Sequence, residues 1–161
     1  MNKSKGFLEG LVSIIERAFR YQKLLRYPRE GTERMLRGWI AMELLLGPLG
    51  WCPQNVLFGE TFDLLLVDDR IKPVLYIETK SLEQQINPGD IPTEIKRILK
   101  RTGRRPTLKK MVLTNGIKWI VFDVANKPKI VFELEDVRKD KPSEASLLES
   151  YLSSNCYVVR E

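Results

Sequence analysis

The chain has 161 residues, 43 % of them apolar, with 27 lysines and arginines against 21 aspartates and glutamates for a net charge of +6. That supports one globular core rather than a disordered chain, and long uncharged stretches such as Leu44–Val56 are too short and too broken, here by Pro48 and Pro53, to span a bilayer. There is no histidine, and the two cysteines, Cys52 and Cys156, have no CxxC spacing; a cysteine–histidine zinc site and every Ser–His–Asp or Cys–His mechanism are excluded.

The stretch from Ser4 to about Arg26 places Phe7, Leu11, Ile14, Ile15 and Ala18 at helical spacing. A second helix is expected from Thr32 to Leu46, ended by Gly47-Pro48. The period then shortens. Asn55–Phe58, Thr61–Val67 and Lys72–Thr79 read as strands, with a turn at Asp68-Asp69-Arg70. A helix capped by Asp90 or Thr93 runs to about Arg101. Lys109–Thr114 and Ile117–Asp123 form a hairpin whose Asn115-Gly116 suits a type I′ turn. Ile130–Leu134 is a further strand, a last helix runs from Ser143 or Glu144 to Leu152, and Cys156–Val159 suggests a short edge strand. The expected fold is a single α/β domain over residues 1–161: helices at about 4–46, a mixed central sheet at about 55–135, and a C-terminal helix and tail at about 143–161. Glu9, Glu16 and Arg17 do not suit a secretory signal, so a cytoplasmic protein with reduced thiols is expected. Cys52 and Cys156 read as buried small hydrophobes, and Trp39, Trp51 and Trp119 as core residues.

The chemistry lies in the carboxylates. If the turn centres near Asp69–Lys72, Asp63 lies opposite Glu78, and Lys80 shares the face of Glu78 while Thr79 points away. Two opposed carboxylates repel unless a cation sits between them. Mg²⁺, or Mn²⁺ in its place, suits such oxygen ligands. A lysine beside the ion can orient water and neutralise charge on a phosphorane, which points to phosphodiester hydrolysis. The plain alternative is a set of cross-strand ion pairs with no metal.

Asp63, followed after fourteen residues by Glu78-Thr79-Lys80, resembles the PD-(D/E)xK nuclease signature, with Phe62 in place of the proline. Thr32-Glu33 with Arg37 leading into Leu49-Gly50-Trp51, the strand Val74–Lys80, and Val112-Leu113-Thr114-Asn115-Gly116 with Lys118-Trp119 resemble the N-terminal nuclease domain of type I restriction enzyme R subunits. The resemblance covers about Thr32 to Asp123. It implies a restriction-endonuclease-like core, metal ligation by Asp63, Glu78 and the carbonyl of Thr79, a catalytic Lys80, and a supporting Glu33. Glu43, inside the apolar stripe, is the second choice for that supporting role. Where the family often carries Gln and Tyr after the ExK strand, this chain offers Glu94 and Ile98. No GxxxxGK[ST] loop occurs, so no ATP-driven motor is expected here.

The segment 95–110 carries Lys96, Arg97, Lys100, Arg101, Arg104 and Arg105 among its cations and no acid. It suits backbone contacts to duplex DNA, although such a run also suits a solvated helix face. Arg17, Arg20, Lys23, Arg26 and Arg29 form a second basic row, read as an ordinary amphipathic helix. The expected activity is an Mg²⁺-dependent endonuclease acting on DNA; a homodimer would let both strands be cut. The alternative is a DNA-binding or assembly module that keeps the fold and does not cut.

Overall fold

The computed structural model describes residues 3–24, 31–59, 62–102, 107–139 and 142–157. The sequence builds a six-stranded mixed sheet in the spatial order β1-β2-β3-β4-β5-β6: Val56–Phe58, Leu64–Val67, Pro73–Thr79, Lys110–Thr114, Trp119–Asp123 and Lys129–Leu134. Neighbours pair antiparallel except β3 and β4, which run parallel. A parallel pair needs a crossover, and α3 (Ile91–Thr102) provides it. Helices α1 (Lys3–Tyr21), α2 (Gly31–Trp39) and α4 (Pro142–Leu152) complete the domain.

Strand alternation divides the core in two. Leu64, Leu66, Leu75, Ile77, Val112, Trp119 and Val121 pack with α1, α2 and α4. Leu65, Tyr76, Met111, Leu113, Ile120 and Phe122 face the other way and pack under α3. Covering on both faces explains why every residue of β3 is buried. The outer strand β6 buries only Leu134 fully.

Several local expectations are corrected. The second helix does not continue regularly to Leu46: after Trp39 it widens into a π-helix, Ile40–Leu45. There Ile40, Ala41, Leu44 and Leu45 are buried in one cluster, so packing overrides regular winding. Pro53–Asn55 is a 3₁₀ turn that precedes β1, and β2 starts at Leu64, not Thr61. The hairpin turn is not type I′, since Gly116 has φ 90° but Asn115 does not share a positive φ. Instead the Asn115 Oδ1 accepts the N–H groups of Ile117 and Lys118 at 3.0 and 2.9 Å. The side chain builds the turn itself.

Near the C-terminus, Ser154–Cys156 is a 3₁₀ turn rather than a strand, and residues 158–159 lie outside the described segments. Cys52 is half-buried and Cys156 exposed, so neither is the buried residue expected. The three tryptophans are core residues, and the Trp51 indole donates to the carbonyl of Leu152 at 2.8 Å, tying α4 to the body. Among the described residues no helix is long and apolar enough to cross a membrane.

Candidate active site

The β2–β3 register pairs Leu64 with Ile77, Leu65 with Tyr76 and Leu66 with Leu75. Continued by one residue, it sets Asp63 across from Glu78, as the hairpin arithmetic requires. Asp63 sits in the bend before β2 and is 7 % exposed; Glu78, within β3, is 3 % exposed. Both are acidic groups buried in or beside apolar strands, and each needs partners.

Asp63 takes its partners from β3 and α2. Its Oδ2 accepts the Thr79 N–H at 2.7 Å and the Thr79 hydroxyl at 2.8 Å. The carboxylate thus supplies an acceptor that β2 does not. Its Oδ1 is paired with the Arg37 guanidinium, and Arg37 also lies 3.7 Å from Glu33 one turn earlier. Thr79 therefore does not simply point away; its hydroxyl turns the Asp63 carboxylate toward α2.

Glu78 takes its partners from its own strand and from α3. The Tyr76 hydroxyl donates to Oε2 at 2.5 Å, and the hydroxyl oxygen itself accepts the Asp63 backbone N–H at 3.1 Å. This fully buried phenol thus joins the two acidic positions. Lys80 Nζ lies 3.3 Å from Glu78 Oε1 and 3.2 Å from Glu94 Oε2. Arg97 pairs with the same Glu78 oxygen and donates to Glu94 at 2.6 Å. A cleft of about 220 Å³, lined by Lys80, Gln84, Thr93 and Glu94 among others, opens beside Lys80.

The electrostatics follow from burial. Desolvation, then the charge of Glu78, holds the Asp63 carboxyl above its usual range against the hydrogen bonds of Thr79 and the charge of Arg37. Burial, then Asp63, pushes Glu33 up as well, with Lys80 and Arg37 opposing. Burial also pushes Glu94 up, but its bond from Arg97 and the Lys80 charge outweigh it, and the group ends below its usual range. Tyr76 is raised by burial and then by Glu78, so the phenol keeps its proton.

The expected residues therefore divide. Asp63, Glu78, Thr79 and Lys80 lie at one end of β3, and Glu33 interacts electrostatically with Asp63, Lys80 and Glu78. Glu43 instead pairs with Arg17, whose guanidinium lies 5.2 Å from the Trp39 ring centre. Arg97 is not a free phosphate contact, because Glu78 and Glu94 both hold it. Lys96 and Lys100 are exposed on α3. The side chain of Arg101, and all of Arg104 and Arg105, lie outside what the structure describes, as do Arg26 and Arg29.

Three participants carried readable signals. Tyr76 lies two residues before Glu78 on one strand face, Arg37 four after Glu33, and Arg97 three after Glu94.

Among the described residues no group of three or more acidic, cysteine or histidine side chains is arranged to hold a metal ion. Two facing carboxylates are nevertheless the donor chemistry that a hard divalent cation retaining several waters takes. Burial, and then the charge of Glu78, raise Asp63, and such a cation would offset both. Arg37 and Arg97 meanwhile serve as counter-charges.

These features define an α/β domain with a six-stranded mixed sheet flanked by helices and a buried acidic–basic cluster at one end of β3. Comparison with protein-family models, curated proteins and solved structures finds no match.

Proposed function

We propose that the chain is a divalent-metal-dependent nuclease of the PD-(D/E)xK type, with a restriction-endonuclease-like core, that hydrolyses phosphodiester bonds of duplex DNA. The observation that carries this reading is the pair of buried carboxylates, Asp63 and Glu78, at facing positions of adjacent strands, with the Lys80 ammonium 3.3 Å from Glu78. Asp63, Glu78 and the Thr79 carbonyl would hold Mg²⁺ or Mn²⁺, with Glu33 supporting them from α2. When bound, the ion supplies Lewis-acid polarisation of the scissile phosphate and makes a nearby water more acidic. Lys80, at the wall of the cleft, orients the attacking water and stabilises negative charge as it develops on the phosphate. Lys96 and Lys100 provide contacts to the DNA backbone that carry no sequence information.

The test is conversion of supercoiled plasmid with Mg²⁺ or Mn²⁺, with EDTA, and with Glu78→Ala. Nicking by the wild type that EDTA and Glu78→Ala each abolish supports the reading. Absence of nicking with any divalent ion, or equal nicking by the variant, overturns it.

One observation favours a second reading, a DNA-binding or assembly module that does not cut: each carboxylate already has an arginine partner. Salt-sensitive DNA binding that survives replacement of Asp63, Glu78 and Lys80, without cleavage, would establish it.

A further inference from the structure

We propose that Arg97 is an internal placeholder for the divalent cation: its guanidinium occupies Glu78 in the metal-free protein, gives up that carboxylate when the ion arrives, and stays anchored on Glu94. The proposal rests on the metal-dependent reading above and concerns how the site is kept ready.

A carboxylate as buried as Glu78 is costly to leave without a counter-charge. Two cations reach its Oε1, Lys80 at 3.3 Å and Arg97 in closer contact. Both also reach Glu94 Oε2, Lys80 by a single contact at 3.2 Å and Arg97 by two. Arg97 donates to Glu94 Oε2 through Nε at 3.2 Å and Nη2 at 2.6 Å, one helical turn along α3. Losing Glu78 would therefore leave it a charged partner.

Exposure also separates the pair: the Arg97 side chain is 31 % exposed and that of Glu78 4 %. The arginine has room to withdraw, whereas Glu78 is fixed by its strand and by the Tyr76 hydroxyl. Arg37 on Asp63 is held less closely by its second acid, Glu33, at 3.7 Å. The arrangement keeps Glu78 paired and aimed without metal, at the cost of a weaker apparent affinity for the ion.

Titration of Mn²⁺ into the full chain, followed by the electron paramagnetic resonance signal of free Mn²⁺, tests this without reference to cleavage. Arg97→Met is expected to tighten Mn²⁺ binding about tenfold, because it removes a competing charge in contact with the ligand. Arg97→Lys keeps the charge and should stay within about threefold of the wild type. Lys96→Met removes the same charge from the next, exposed position of α3 and should change affinity less than about twofold, since exposed charges are screened.

Equal tightening by Arg97→Met and Lys96→Met would reveal a general field and overturn the placeholder. So would unchanged or weaker binding by Arg97→Met when the wild type binds Mn²⁺; the metal reading would then stand alone. Absence of Mn²⁺ binding by the wild type and by all variants would overturn both.

Discussion

Tyr76→Phe removes a single oxygen from a fully buried ring and leaves the apolar packing under α3 in place. That oxygen donates to Glu78 Oε2 at 2.5 Å and accepts the Asp63 N–H at 3.1 Å. A hydrogen bond to a charged acceptor contributes about 1.5–3 kcal/mol, and a buried N–H left unpaired costs about 1–3 kcal/mol. Part of this is recovered by local relaxation, so a loss of about 3 kcal/mol is expected. For a domain of this length that corresponds to a fall of about 6–12 °C in Tm.

Urea unfolding followed by tryptophan fluorescence is a suitable assay, because Trp39, Trp51 and Trp119 are all buried. Tyr157→Phe is the control: its hydroxyl donates to the Tyr151 carbonyl at 3.2 Å, a neutral and only partly buried bond, and should cost about 1 kcal/mol or less. A Tyr76→Phe loss below about 1 kcal/mol, or no larger than that of the control, would refute the bridging role of the phenol.

Glu33→Gln should stabilise the protein at neutral pH, by about 0.5 kcal/mol. Glu33 is raised by burial and by Asp63, so between the unfolded and the folded value the native state retains a proton that the unfolded chain has released. Its contribution is full below the unfolded value near 4.5 and is lost as pH rises through the higher folded value. The variant and the wild type should converge below pH 4.5 in melts taken across the pH range; a constant gap would contradict the assignment. Gly116→Ala should destabilise by about 2 kcal/mol or more, read by thermal melting. Gly116 has φ +90°, and an added Cβ would lie 2.9 Å from Ile15 and 3.0 Å from Leu36; a wild-type Tm would show that this turn is not packed against α1 and α2.

The element order and the strand register near the site were legible in the sequence. Thr61–Lys80 is short-range, so an alternating pattern and a compact turn suffice to set Asp63 against Glu78, and the change from helical to strand period separates helices from sheet. The short acidic–basic spacings within α2 and α3 were also visible, but their meaning was not. A run of cations reads as a solvated face until the fold says what lies beneath it. Arg97 became a partner of Glu78 because the β3–α3–β4 crossover lays α3 across the sheet.

Thr32 to Leu46 carried a good helical stripe, yet the fold winds Ile40–Leu45 as a π-helix, where Ile40, Ala41, Leu44 and Leu45 are all buried. Periodicity and turn signals act over a few residues, so neighbours within one helix or one hairpin can be read from residue order. The tertiary structure alone decided which charges neutralise which: that depends on burial and on separations of a few ångströms between segments far apart in sequence, and no local pattern encodes either.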